Sequence, residues 1–137
     1  MKQRIFGLEN EYGLIFSPNG RIYLPMEKVL GYIFEGLIPN SWPSNAFLVN
    51  GARFYQDTGC HPEYATPECD NPWDLTLHDK AGERIVEELL LTAERRLREN
   101  GIDCDLFVFK NNTDSVGNTY GCHENYLVER TVNFHKL

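Results

Sequence analysis

Two glutamates with one residue between them, Glu9 and Glu11 in IFGLENEYG, are the first residues from the N-terminus whose types and spacing could do chemistry. Side chains in a strand alternate faces, so a strand through this segment points both carboxylates the same way. Neighbouring carboxylates repel, and a divalent cation between them offsets the cost. Mg²⁺ takes oxygen ligands and keeps water and phosphate in its shell, which suits Glu9, Glu11 and Glu63 as a ligand set. A solvent-facing edge strand would carry the same pair with no ion. The same alternation puts Arg53, Tyr55 and Asp57 of RFYQD on one face. Arg53 can fork onto a phosphate and Asp57 can accept a proton from an attacking amine. A cross-strand salt bridge would use the same residue types.

Further along, GCHPEYATPECDNP sets His61, Glu63 and Glu68 among prolines, which reads as a rigid loop, either holding ligands or leading into a helix. In YGCHENY, His123 and Asn125 share one strand face, and Cys122, Glu124 and Tyr126 share the other. His123 can bind metal or phosphate, or sit as a satisfied, partly buried imidazole. Cys60-His61 and Cys122-His123 raise zinc, but the ligand spacings of structural zinc sites are missing. Neither a P-loop nor a dinucleotide-binding glycine pattern occurs, so ATP, if it binds, is held through metals on a sheet.

The elements that must position these residues follow from periodicity. Residues 3–16 read as one strand, closed by Ser17-Pro18-Asn19-Gly20. Val29, Leu30, Ile33, Phe34 and Leu37 have helical spacing between Pro25 and Ile38, and the turn-rich Pro39 to Asn45 follows as a loop. Asn50-Gly51 between two β-favouring runs predicts a hairpin with a type I′ turn. A long helix starts at Asn71-Pro72, with asparagine as cap and Asp74 in the first turn. Its expected apolar face is Leu77, Ala81, Ile85, Leu89, Ala93 and Leu97, and Gly101 stops it. Strands at Leu106 to Lys110 and Tyr120 to Val128 close the chain around the polar turn Asn111 to Asn118. Without a βαβ rhythm, this order predicts one α+β domain, a mainly antiparallel sheet with helices packed on one face.

At 137 residues with 42% hydrophobic and 24% charged residues, the chain can bury a core. Its net charge of -7 argues against nucleic acid as partner but permits a polyanion bridged by divalent cations. No signal peptide and no run of apolar residues long enough to span a bilayer is seen, which predicts a cytoplasmic protein off the membrane, its four scattered cysteines reduced.

The strings IFGLENEYG (5–13), NGARFYQDTGCHPEYATPEC (50–69), HDKAGE (78–83) and FKNNTDSVGNTYGCHENYL (109–127) together resemble the PafA/Dop family of Pup ligases and depupylases, from the first residues to about residue 130. The resemblance implies a glutamine-synthetase-like fold whose concave sheet holds ATP and Mg²⁺. It implies phosphorylation of the C-terminal glutamate of Pup, a small disordered modifier, to a γ-glutamyl phosphate. A substrate lysine then attacks, tagging the protein for proteasomal degradation. It assigns metal ligands to Glu9, Tyr55 and Glu63, ATP contacts to Arg53 and Thr66, and the proton acceptor to Asp57, with Glu11 and His123 in matching motifs as further metal ligands. A phenol is a poor Mg²⁺ ligand, so a contact from Tyr55 would run through water or backbone. The short stretch from Pro39 to Asn45 and the Asp57 to HPEY spacing favour the ligase over the depupylase or deamidase of the same family. Because that family's members run to several hundred residues, the resemblance makes residues 1–137 the N-terminal portion of an ATP- and Mg²⁺-binding domain whose C-terminal remainder is missing. On its own such a portion is expected to be inactive; a non-catalytic module that docks with a second chain is the contrasting reading.

Overall fold

The computed structural model describes residues 4–38, 44–111, 113, 115–117, 119–133 and 135. The chain runs through β1 (Phe6–Glu11), β2 (Gly13–Pro18), α1 (Met26–Glu35), β3 (Asn45–Phe47), β4 (Arg53–Asp57), β5 (His61–Ala65), α2 (Pro72–Glu99), β6 (Cys104–Phe109) and β7 (Cys122–Tyr126). Five strands make one antiparallel sheet in the order β3-β4-β5-β1-β7, and β2 pairs with β6 in a separate two-stranded sheet. The architecture is α+β with antiparallel sheets and two helices, as expected.

The expected strand over residues 3–16 is two strands in two sheets. Tyr12, 3% exposed, is the crossing point; its amide donates to the Pro62 carbonyl at 2.9 Å, and the chain leaves β1 there for β2. The segment read as a rigid loop after Asp57 is β5 at its start, paired with β4 on one side and β1 on the other. Its Pro62 stands one residue beyond the last β1 pair, Glu11 with Glu63, where a missing N–H is tolerated. The hairpin at Asn50-Gly51 forms, but only Gly51 has positive φ, at 83°. Gly51 donates to Leu48 at 3.0 Å and Leu48 to Ala52 at 2.8 Å, which makes a three-residue loop with glycine in the left-handed position in place of a type I′ turn. Two successive positive φ values occur one hairpin later, at Gly59 and Cys60. Of the loop from Pro39 to Asn45, residues 39–43 lie outside the described residues, as do 112, 114 and 118 of the polar turn.

Helix α2 starts where expected: the Asn71 side chain accepts from the Asp74 amide at 3.0 Å, with proline in the first turn. Its buried stripe is Gly82, Val86, Leu89, Leu90, Ala93 and Leu97. The strict four-residue repeat predicted for that face drifts by about 40° per step on a helix of 3.6 residues per turn, so Leu77, five steps from Leu97, is 66% exposed. The core lies between the helices and the back of the large sheet. Phe34 meets Phe54 at 5.1 Å between ring centroids, and the Tyr64 ring fills the space a side chain at Gly82 would need. The small sheet is tied to the same helix, as Glu94 accepts the Leu106 amide at 2.7 Å and Arg98 donates to the Cys104 carbonyl at 3.0 Å.

Candidate functional site

Register carries residues far apart in sequence onto the front face of the large sheet. Arg53, Ala65, Glu9 and His123 are successive partners across β4, β5, β1 and β7. Tyr55, Glu63 and Glu11 form the adjacent row, and Asp57 stands opposite His61. Directly opposed residues share a face, so every predicted site residue except Thr66 lies on this front. Thr66 follows β5, and its hydroxyl accepts the Leu8 amide at 3.0 Å. It lines an open cleft of about 420 Å³ with Glu9, Ala65, Glu68 and Asn125 among its neighbours.

Contacts within the face are short and polar. Tyr55 donates its hydroxyl to Glu63 Oε1 at 2.5 Å. His123 Nδ1 lies 3.3 Å from Glu9 Oε2, and His61 Nδ1 lies 3.8 Å from Glu11 Oε2. The Gly121 amide donates to Glu11 Oε2 at 2.8 Å. Arg53 donates through Nε to Asn45 Oδ1 at 2.8 Å, with its guanidinium 4.1 Å from the centroid of the Tyr55 ring. Glu63 is 2% exposed. Burial raises its pKa; the Tyr55 bond opposes this, and the charges of Asp57, Glu9 and Glu11 reinforce it. Burial also raises the Tyr55 phenol, helped by its bond to Glu63.

Two groups of ligand atoms result. One atom each from Glu9, Glu63 and His123 lie within 4.8 Å of one another, and so do one each from Glu11, Asp57 and Glu63. Glu63 belongs to both, which makes the buried carboxylate the hinge of the arrangement. Carboxylate oxygens crowded together, joined in one group by an imidazole nitrogen, are a donor set that can hold a divalent cation. Tyr55 enters through its bond to Glu63, which orients that carboxylate. Sequence reasoning placed His61 in a ligand-holding loop without its contact to Glu11, and passed over Gly121. Their signals were the four-residue separation of Asp57 and His61 across a tight turn, and a glycine two residues before His123 where a side-chain Cβ would meet Glu11 at 2.8 Å.

The sequence matches a protein-family model described as Pup-ligase protein over residues 25–137. The chain belongs to the Pup-ligase family. Among curated Pup-ligase relatives, it is 55% identical to a Pup--protein ligase of Nocardioides sp. and 56% identical to one of Kribbella flavida, over all 137 residues in each case. The chain spans 30% of the length of each of those Pup-ligase relatives. A solved complex of Pup with its ligase PafA superposes with a TM-score of 0.86 at 43% identity, covering 97% of this chain and 27% of that one. The Pup ligase PafA solved in complex with ADP gives a TM-score of 0.63 at 42% identity, over 85% of this chain and 25% of that one.

Proposed function

We propose that this chain is the N-terminal nucleotide- and metal-binding portion of a cytoplasmic, ATP-dependent ligase that joins the C-terminal glutamate of Pup to lysines of substrate proteins. The observation that carries the reading is the convergence of Glu9, Glu11, Asp57, Glu63 and His123 beside Arg53 on one sheet face, in a chain 55% and 56% identical to two Pup--protein ligases. Glu9, Glu63 and His123 on one side, and Glu11 with Glu63 on the other, would hold Mg²⁺, with Tyr55 fixing the shared carboxylate. When bound, Mg²⁺ supplies positive charge against phosphate oxygens. Arg53, anchored through Asn45, turns its guanidinium toward the same face to bind and orient a phosphate. Thr66, at the edge of the cleft beside Glu9, contacts the nucleotide.

Asp57 has the proton-handling role. A lysine amine with an unperturbed pKa near ~10.4 is protonated at neutral pH and must lose a proton before it can attack. Asp57, on the face that carries Arg53, is the acceptor. Pup, lysine-bearing substrates and the rest of the family's polypeptide are the partners, and no helix among the described residues is long and apolar enough to cross a membrane. The place of Asp57 in a ligand group with Glu11 and Glu63 supports a second reading, as a metal ligand. Asp57→Asn in the complete enzyme separates the two. The expected outcome is a fall in ligation by a factor of order 10² to 10⁴ with ATP binding far less affected. An equal loss of both makes Asp57 a metal holder, and conjugation at the normal rate removes it from the chemistry. The 137-residue chain by itself is expected to form no isopeptide bond.

A further inference from the structure

Behind the sheet, the residue between the two front glutamates is held by a polar network that the proposed chemistry does not use. Asn10 is 2% exposed in a layer otherwise built from Phe54 and Tyr64. Its Nδ2 donates to Asp79 Oδ1 of α2 at 2.9 Å, and its Oδ1 accepts from Cys122 Sγ of β7 at 3.4 Å. Asp79 Oδ1 also accepts from Lys110 Nζ at 2.9 Å, and Lys110 Nζ reaches Glu83 Oε1 at 3.0 Å. Asp79 and Glu83 come from HDKAGE and Lys110 from FKNNTDS, two of the strings that carry the family resemblance.

We propose that Asp79 is a positioning residue which, neutralised by Lys110, grips Asn10 from behind and so sets the direction of Glu9 and Glu11. Apolar contact at this position would bury the strand equally well but is non-directional. A hydrogen bond has a preferred length and angle, and an amide bonded at both ends resists rotation. Side chains at successive strand positions leave the backbone in opposite directions. A twist of β1 that swings Glu9 and Glu11 apart, as their mutual repulsion favours, therefore works against the bond from Asn10 to Asp79 as well as the pairing to β5 and β7. Lys110, 2.9 Å away, sets a compensating positive charge beside the partly buried carboxylate of Asp79.

The inference rests on the cation reading of the front face, and the test separates the two. Mn²⁺ alone is titrated into the full chain and followed by electron paramagnetic resonance. Asp79→Ala is expected to weaken Mn²⁺ binding by about tenfold or more, the usual cost of losing a group that orients a ligand. Asp79→Asn, which keeps an oxygen for Asn10, is expected to lose much less. Glu83→Ala, which removes the other partner of Lys110 without touching Asn10, is expected to lower the melting temperature and leave affinity unchanged. Wild-type affinity in Asp79→Ala, or affinity losses that simply follow melting temperature across Asp79→Ala and Glu83→Ala, would overturn the proposal. Should Asp79→Ala fail to fold, Asn10→Leu replaces it, and normal affinity there overturns the proposal equally. No Mn²⁺ uptake by the wild-type chain defeats the cation reading and this inference together.

Discussion

Along β4 the residues Arg53, Phe54, Tyr55, Gln56 and Asp57 alternate between two environments that have little in common. On the front, Arg53, Tyr55 and Asp57 join Glu63, Glu9 and Glu11 in a half-exposed field of charge. On the back, Phe54 is fully buried against Phe34, and Tyr64 of the neighbouring strand lies under α2 at Gly82. The front gathers like charges, which costs stability, while the back removes apolar surface from water, which supplies it. Along β4 and β5, stability and chemistry are thus divided by the parity of residue number.

Substitution on either side sharpens or breaks that division. Phe54→Ala, on the back, is expected to cost about 3 to 5 kcal/mol of unfolding free energy. Glu9→Gln, on the front, is expected to stay within ~0.5 kcal/mol of wild type while weakening Mg²⁺-dependent nucleotide binding in the complete enzyme. Urea unfolding measures the first quantity, and equal destabilisation by the two variants would erase the contrast. Gly82→Ala tests the back face from the helix side. Its new Cβ would meet Tyr64 ring carbons at 2.4 and 2.5 Å. Tyr64 cannot easily move away, because it is fully buried and its hydroxyl accepts from Asn50 at 3.1 Å. The crowding is expected to outweigh the helix preference for alanine and to cost about 1 to 3 kcal/mol. A stabilised Gly82→Ala would mean that the back is less tightly packed than its geometry indicates.

A small gain in stability, in place of a loss, is expected at Tyr12, where the chain leaves one sheet for the other. Its hydroxyl is buried without a hydrogen-bond partner among the described residues, so Tyr12→Phe is expected to gain about 1 kcal/mol. Burial, with Asp79 and Glu83 reinforcing and Lys110 opposing, pushes the phenol up to about 12 from its ordinary value of 10.0. The folded chain therefore holds this proton more tightly than the unfolded one, and wild-type stability falls as pH rises from 10 toward 12. The advantage of Tyr12→Phe should widen over the same interval. A constant difference across it would place the hydroxyl in contact with water.

Much of this was legible in the sequence wherever one rule governs several residues. Alternation alone puts Glu9 with Glu11, and Arg53 with Tyr55 and Asp57. Asn71-Pro72 marks the start of α2 because a cap and an N-terminal proline satisfy the same helix end. The misreadings arose where a single residue decides. Nothing local to Tyr12 announces a change of sheet, since residues on both sides favour strands. Pro62 disguised β5 as a loop, because the pairing that tolerates a proline there is set by β1, some fifty residues earlier. Meeting of His123 with Glu9 depends on register between strands more than a hundred residues apart, which sequence periodicity does not encode.

Helix α2, at 28 residues, is about 42 Å long at ~1.5 Å per residue. Near its start it holds the large sheet through Asp79 and Asn10, and in its second half it holds the small sheet through Glu94 and Leu106, and α1 through Arg96 and Glu35. The two sheets are therefore mounted on one beam. Fraying that reached the middle of this helix would loosen both at once, so a protease or a deuterium pulse would meet a single cooperative unit instead of two independent lobes.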